Sequence, residues 1–129
     1  MENEEANFDI KLNFEVEGAQ ATVGINIRPY AISFLKKMAK KFEIIIFTAS
    51  HHSYANAILD ELDPEGEIFQ HRLYRQHCFV LGNEWYVKNL RILNRDLCNV
   101  VLVDNAAYSY ALQLENGIPI YPYYEGSDY

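Results

Sequence analysis

The chain has 129 residues, of which 50% are apolar, and these values are typical of one globular domain with a single core. Its formal net charge of −7 argues against a general nucleic-acid binder, which needs a basic face to displace counterions from phosphate. No apolar stretch approaches the roughly 20 residues of a membrane span, and the acidic start at Met1–Glu5 is unlike a positively charged leader, so we expect an intracellular protein, nuclear or cytoplasmic and not secreted.

Residues 7–17 alternate between apolar and polar side chains, and residues 21–27 alternate again after a turn at Gly18. A period of two is typical of a strand with one solvated face. Residues 7–27 are therefore predicted to form an amphipathic β-hairpin. Such a hairpin is marginally stable alone and needs a surface to cover.

Two helices and a strand are predicted next. Arg28-Pro29 interrupts the hairpin pattern, and proline is well tolerated in the first turn of a helix. The first helix is indicated by apolar residues at helical spacing: Leu35, Met38, Ala39 and Phe42. Ile44–Phe47 is a short apolar run, which predicts a strand buried on both faces of a parallel sheet. The second helix is indicated by Tyr54, Ile58, Leu59 and Leu62, and ends at residues 63–66.

The rest of the chain is less regular but yields further strands. Residues 68–87 are rich in aromatic side chains, with short strands predicted near 72–74 and 79–81. The later predictions are a short helical stretch or loop at 90–97, a second buried strand at Val100–Val103, a helix at Ala106–Leu114 and an edge strand at Ile118–Ile120. Helices that alternate with buried strands predict a parallel α/β sheet.

Polar residues stand where the two predicted buried strands end. Thr48 follows the first strand, and Asp104 and Asn105 follow the second. Ligands of open α/β sheets bind beyond the carboxyl ends of the strands, so these residues are predicted to share one rim. Lys88, between them in sequence, would add positive charge. A hydroxyl, nearby backbone N–H groups and a lysine suit a phosphoryl group, and the Asp-Asn oxygens are of the kind that Mg²⁺ prefers.

The chain carries a set of short motifs at positions 28–29, 47–50, 73–78, 86–90, 94–97 and 103–105. Together they resemble the small phosphatases that act on the C-terminal domain (CTD) of RNA polymerase II, which are members of the haloacid-dehalogenase (HAD) superfamily. The stretch Arg75-Gln76-His77-Cys78 is similar to the Dullard-like branch of that family. The resemblance runs from about residue 7 to about residue 125.

The resemblance implies an architecture. It is a HAD-like (Rossmannoid) parallel sheet with flanking helices and an N-terminal β-hairpin insert. On this chain the single domain would span residues 1–129, with a disordered-like start at 1–6, the hairpin insert at 7–27 and the α/β core at 28–125.

The resemblance also implies a magnesium-dependent phosphatase for phosphoserine or phosphothreonine. In the family, one aspartate attacks phosphorus and a second, two residues on, serves as general acid and then base. Thr48, with Ala49 beside it, matches the phosphate-contacting hydroxyl, and Lys88 matches the lysine that steadies phosphate and nucleophile. Arg75 matches an arginine near the substrate cleft. Asp104 and Asn105 match the metal-site pair.

The Asp-x-Asp-x-Thr segment of the family, which forms its first strand, has no counterpart in these residues. The chain holds six aspartates, and no two are separated by a single residue. Covalent catalysis without its nucleophile cannot proceed by that route. Glu15 and Glu17 have the right spacing, but the alternation places both on the solvated face of the hairpin.

The loss of that central strand would leave backbone N–H and C=O groups of two strands unpaired. Four ways of pairing these backbone groups are open. The two neighbouring strands close up on each other, or the hairpin at 7–27 shifts inward. Alternatively, another chain donates a strand, or the sequence is part of a longer product.

Three functions are compatible with these observations. The first is a catalytically impaired family member that binds a phosphoprotein or phosphopeptide. The second is an active magnesium-dependent phosphatase whose first strand comes from a longer product or another chain. The third is a structural or scaffold subunit of a larger assembly. A zinc site at His71, His77 and Cys78 is a weaker hypothesis, because no fourth ligand has a suitable spacing.

Overall fold

The computed structural model describes residues 8–124, which divide into two compact units. Of these residues, 8–44, 53–70 and 123–124 belong to the first unit, and 45–52 and 71–122 belong to the second. The predicted start at 1–6 and the predicted end of the core at residue 125 lie outside the described residues. The domain boundaries derived from the sequence therefore stay a prediction.

The first unit contains the predicted hairpin. Strands β1 (Ile10–Val16) and β2 (Ala19–Ile25) pair antiparallel and are joined by Glu17-Gly18. Both turn residues have positive φ values, 52° and 80°, which a two-residue turn needs to follow the twist of the strands. The alternation is confirmed in β1, where Leu12 and Phe14 are half-buried and the residues between them are exposed.

The two predicted helices are confirmed. Helix α1 spans Ala31–Ala39, and helix α2 spans His52–Leu62 and belongs to the first unit from Ser53 onward. Helix α2 buries Ala55 and Leu59, which lie one turn apart on one face. No helix within residues 8–124 is long and apolar enough to cross a membrane.

A buried carboxylate organises the turn that follows α2. Asp63 is only 5% exposed, and its two oxygens accept the backbone N–H groups of Glu67, Ile68 and Phe69 at 2.9–3.0 Å. These bonds satisfy donors that would otherwise be buried without partners. Ile68 and Phe69 are thereby held in the core of this unit.

The second unit is built from three short ladders. Strand β3 (Ile45–Phe47) pairs in parallel with β4 (His71–Leu73). Strands β5 (Phe79–Leu81) and β6 (Trp85–Val87) form an antiparallel hairpin. Strand β7 (Leu102–Asp104) pairs in parallel with β8 (Gly117–Pro119). The predicted parallel pairing, and the predicted edge strand near Ile118, are confirmed.

The two parallel ladders remain separate sheets. Within the described part of the chain, β3 pairs only with β4, and β7 pairs only with β8. The prediction that both strands are buried on both faces is wrong. Strand β3 is half-buried throughout, and the β7 segment buries Leu102 and Asp104 while Val101 and Val103 are 64% and 51% exposed. A strand with one neighbour and one covered face can bury only half of its side chains.

The core of the second unit is small, and the segment after β7 differs from its prediction. One core cluster consists of Leu90, Leu102 and Tyr110, against which pack Leu93, Leu97 and Val100. The predicted helix at Ala106–Leu114 is wrong, because the chain forms two 3₁₀ turns, Ala107–Tyr110 and Leu114–Asn116. Gly117 lies so close to the Tyr110 ring that a Cβ there would clash. A side chain at position 117 is therefore excluded where the chain returns into β8.

Candidate functional site

Thr48 and Ala49 lie directly beyond β3. The Thr48 N–H donates to Leu73 O at 2.9 Å and so continues the ladder with β4. The Thr48 hydroxyl oxygen accepts the N–H of Ser50 at 3.1 Å, which fixes the oxygen and leaves its proton available to another acceptor. The Ala49 N–H makes no hydrogen bond to another described residue. Two donors are therefore offered at the carboxyl end of this strand.

Arg75 is hydrogen-bonded to the loop that follows β3. Its Nε donates to Ala49 O at 2.7 Å, and its backbone N–H donates to Ser50 O at 3.1 Å. Its guanidinium carbon lies 5.2 Å from the centre of the Tyr86 ring, a cation–π contact. Only Nε of the guanidinium is engaged within residues 8–124, so the terminal nitrogens form a positioned fork for an anion.

Lys88 and Asp104 form a buried ion pair. Lys88 Nζ donates to Asp104 Oδ2 at 2.5 Å, and the two residues are 8% and 9% exposed. The other carboxylate oxygen, Oδ1, accepts the N–H of Ala106 at 2.9 Å. Both oxygens of Asp104 thus have a partner, whereas the Lys88 ammonium uses one of its three donors within residues 8–124.

Two residues that sequence reasoning missed hold the backbone of Lys88. Gln113 Nε2 donates to Lys88 O at 2.8 Å, while its Oε1 accepts the N–H of Leu90 at 3.3 Å. The Lys88 N–H donates to Ser109 O at 2.8 Å. Gln113 and Ser109 are 7% and 3% exposed. Their sequence pattern indicates this role only weakly, because each is a single polar residue in an otherwise apolar and aromatic segment.

The Cys78 thiol lies near two backbone carbonyls, those of Thr48 and Tyr74. Its Sγ lies 3.9 Å from Thr48 O and 3.8 Å from Tyr74 O. Burial raises the pKa of the thiol above its ordinary value of 9.0, the positive charges of Lys88 and Arg75 partly offset this rise, and Asp104 adds to it. The charges of Lys88, Arg75 and Asp104 thus act on a thiol beside the Thr48 carbonyl, and the shared site of the predicted residues stays a prediction.

Asp104 and Asn105, the predicted ligands of Mg²⁺, offer few oxygens to a metal ion. Asn105 is exposed, and Asp104 is already paired with Lys88. Among residues 8–124 no group of three or more His, Cys, Asp or Glu side chains is arranged to hold a metal ion. Protein-bound Mg²⁺ takes one or two carboxylates together with phosphate and water oxygens in an octahedron. One shared carboxylate and one amide do not fit such a site by themselves.

The chain matches the family described as NLI interacting factor-like phosphatase over residues 1–129. It is 54% identical over 99 residues to CTD small phosphatase-like protein 3 of Caenorhabditis elegans, a match that covers 76% of this chain and 34% of the worm protein. It is 38% identical over 119 residues to carboxy-terminal domain RNA polymerase II polypeptide A small phosphatase 2 of Homo sapiens, covering 92% and 43%. The chain thus spans less than half the length of these curated relatives.

A solved structure is similar in fold. The fission yeast RNA polymerase II CTD phosphatase Fcp1, determined as a variant bound to beryllium fluoride, superposes with a TM-score of 0.74 at 24% identity. The match covers 88% of this chain and 31% of that chain. The likeness concerns the fold, and it confirms the HAD-like α/β class that was predicted from the sequence.

Proposed function

We propose that this chain, which belongs to the NLI interacting factor-like phosphatase family, binds phosphoserine or phosphothreonine within a protein segment. The observation that carries the proposal is Lys88, a buried lysine that uses one donor within residues 8–124 and whose charge, like that of Arg75, acts on the Cys78 thiol near Thr48. Burying an ion pair costs desolvation free energy that a pair of apolar residues would avoid. A lysine at such a position therefore favours the recognition of an anion.

The donors around Lys88 suit the oxygens of a phosphoryl group. The Thr48 hydroxyl and the Ala49 N–H are neutral donors, and Arg75 and Lys88 are cationic donors. Charge-assisted bonds from a guanidinium fork and an ammonium are the strongest that a phosphate can accept in a protein. Asp104 orients the ammonium of Lys88 and balances its charge before the ligand arrives.

We further propose that the 129 residues by themselves bind without turnover by the aspartyl-phosphate route. That route needs a carboxylate free to attack phosphorus and an acid placed to protonate the leaving group. Asp104 has both oxygens engaged. Glu15 and Glu17 are exposed residues of the β1–β2 hairpin, and Glu17 lies in its turn.

The partner proposed first is the phosphorylated C-terminal domain of RNA polymerase II, because the relatives are phosphatases named for that domain. The proposed location is nuclear or cytoplasmic. Cys78 and Cys98 are free thiols, which agrees with a reducing compartment.

Calorimetric titration with a phosphoserine peptide of the polymerase repeat and its unphosphorylated twin tests the binding proposal. Only the phosphorylated peptide is expected to bind. Arg75→Ala should weaken its binding about tenfold through loss of a charge-assisted contact, whereas the exposed Arg91→Ala serves as the matched control and should not. Equal affinity for both peptides would contradict phosphate recognition, and binding of neither would favour the scaffold role.

A second function is favoured by the edges of β3 and β7 that no strand within residues 8–124 pairs with. In it, the chain is one part of an active magnesium-dependent phosphatase whose first strand comes from a longer product or another polypeptide. Asp104 and Asn105 are then the proposed ligands of Mg²⁺, beside carboxylates that the added strand supplies. Hydrolysis of the phosphoserine peptide only when that strand is present distinguishes this function from the first.

A further inference from the structure

The end of helix α1 carries a cluster of lysine side chains, although the chain as a whole is acidic, with a formal net charge of −7. Four of the 11 lysines and arginines stand close together in the sequence, and all four are exposed: Lys36, Lys37, Lys40 and Lys41. Within residues 8–124, none of their ammonium groups has a hydrogen bond or an ion pair. The cluster therefore presents its charge to solvent and not to a carboxylate of these residues.

Two aromatic rings are exposed on the same side of this helix. Tyr30 and Phe34 are 86% and 55% exposed. Together with two of the lysines they have the spacing of one helix face, and this aromatic–lysine face consists of Tyr30, Phe34, Lys37 and Lys41. The turn continues past the end of α1, because the Lys41 N–H donates to Met38 O at 2.9 Å. The face thus has an aromatic end and a cationic end.

The helix dipole accounts for the cationic end alone. Positive side chains in the last turn of a helix are stabilised by its partial negative charge, and Lys36 and Lys37 lie in that turn of α1. This effect gives no reason for exposed rings at the first turn. The two ends together therefore need an explanation other than the stability of the helix.

Tyr30 presents its ring from a strained backbone conformation. It is the N-cap residue of α1, and its φ of 66° lies in the left-handed region that residues other than glycine rarely adopt. Its side chain makes no capping hydrogen bond. Glycine would take this φ without strain. Neither the capping of α1 nor burial of the ring explains a tyrosine here, so the ring is suited to contact with a partner.

The remaining side of α1 limits the kind of partner. A helix that lies on a membrane inserts a continuous apolar face, but the apolar residues of α1 are half-buried in the protein: Ile32, Leu35, Met38 and Ala39. A bilayer of anionic lipid or a nucleic acid would also meet the repulsive field of a chain with net charge −7. A short acidic segment meets the aromatic–lysine face alone.

We infer that the aromatic–lysine face binds a short acidic segment of a partner protein. Apolar side chains of the segment pack on Tyr30 and Phe34, and its carboxylates pair with Lys37 and Lys41. From Tyr30 to Lys41 the helix rises by about 16 Å, which an extended peptide spans with about five residues. Exposed ion pairs each contribute little, so the binding depends on the aromatic contacts as well as on the charges.

The experiment uses the intact 129-residue chain and an acetylated, amidated peptide, Leu-Phe-Ser-Glu-Asp-Glu, whose apolar and acidic ends match those of the face. NMR titration follows the backbone amides of α1. One twin peptide has Gln-Asn-Gln in place of Glu-Asp-Glu, and the other has Ser-Ser in place of Leu-Phe. The first peptide should give saturable shifts at α1, and each twin should bind at least about tenfold more weakly. Equal binding of the three peptides, or no shift at α1, would overturn the proposal.

Two protein variants test the two ends of the face. Lys37→Gln combined with Lys41→Gln should weaken binding about fivefold to tenfold through loss of two charge pairs. The exposed Lys11→Gln on β1 is the matched control and should bind normally. Tyr30→Gly should weaken binding without lowering the urea midpoint of unfolding, because glycine relieves the positive φ. Normal binding by either the lysine variant or Tyr30→Gly would remove that end from the site and contradict the proposal.

Co-sedimentation with vesicles of equal parts phosphatidylserine and phosphatidylcholine tests the membrane alternative. The chain should stay in the supernatant. Sedimentation that is lost in the variant with both lysine substitutions would assign the face to an anionic membrane and overturn the proposal. The peptides carry no phosphate, and the face shares no residue with Lys88 or Arg75. The acidic-segment proposal and the phosphoserine proposal can therefore fail independently.

Discussion

Lys88 Nζ lies 2.5 Å from Asp104 Oδ2, and this contact joins the residue after β6 to the last residue of β7 in a buried setting. The pair gives the site a cation that already has its counter-ion. Under the proposed function, an incoming phosphoryl group would meet an oriented ammonium and not an isolated buried charge. For the same reason, the loss in free energy of unfolding caused by substituting one residue should depend on whether the other is present.

The first prediction concerns this coupling. Lys88→Met should lower the free energy of unfolding by about 3–5 kcal/mol, because it leaves the Asp104 carboxylate buried and uncompensated. The double variant Lys88→Met with Asp104→Asn should recover most of that loss, since the amide is neutral and can still accept the Ala106 N–H. Urea unfolding of the four members of the cycle measures the coupling. Additive losses would show that the two residues do not interact.

The second prediction concerns Gln113, whose side chain hydrogen-bonds to the backbone of Lys88 and Leu90. Gln113→Leu should cost about 2 kcal/mol of stability, because the Lys88 carbonyl and the Leu90 N–H both lose their partner. The same variant should also weaken phosphopeptide binding, since Lys88 would no longer be held in place. Gln76→Leu, at an exposed glutamine, is the control and should change neither quantity. Unaltered binding in a folded Gln113→Leu variant would argue against the positioning role.

The parts of the fold that were predictable depend on short-range patterns. The hairpin follows from alternation over residues 7–27, and its turn from Gly18, which readily adopts a positive φ. Thr48 and Asp104 could be placed at strand ends because each directly follows an apolar run. A shared rim for these residues follows only if both strands belong to one sheet, whereas the described ladders β3–β4 and β7–β8 are separate.

The parts that were not predictable depend on distant partners. Gln113 acts on a carbonyl 25 residues away, and no local pattern marks such a contact. The exposure of Val101 and Val103 depends on which strands lie beside and above β7, and composition alone does not determine this. The same limit explains the helix wrongly predicted at Ala106–Leu114, where contacts of Tyr110 with Gly117 outweigh helical spacing.

The third prediction concerns the turn after α2. Asp63→Ala should destabilise the protein by about 3 kcal/mol, because it leaves three buried or partly buried backbone donors without an acceptor. The neighbouring exposed Glu65→Ala should have an effect of less than about 0.5 kcal/mol. Thermal or urea unfolding compares the two. Equal stability of both variants would contradict the role given to the Asp63 carboxylate.

The fourth prediction concerns alkaline pH. Burial raises the pKa of Cys78 above 9.0, so the unfolded thiol loses its proton at a lower pH than the folded thiol does. The stabilisation from this group is complete below the unfolded value and is lost as pH rises through the folded value. Unfolding measured on both sides of pH 9.0 should show a smaller decline for Cys78→Ser than for the unaltered chain.

Cys98→Ser is the matched control for this experiment, because Cys98 is a free thiol on the exposed surface. It should leave the alkaline decline unchanged. A decline that is identical in all three proteins would show that Cys78 does not contribute to it. Other groups that titrate at alkaline pH are common to the three proteins and cancel in the comparison.

We propose that this chain holds a phosphoryl group without attacking it. The most direct test follows binding and phosphate release together in one sample of the 129-residue chain, the phosphoserine peptide and Mg²⁺. The account predicts saturable binding that depends on Lys88, with no phosphate release above the protein-free background. Release that is abolished by Asp104→Asn would contradict it, because the chain would then turn over its ligand with the residues it already has.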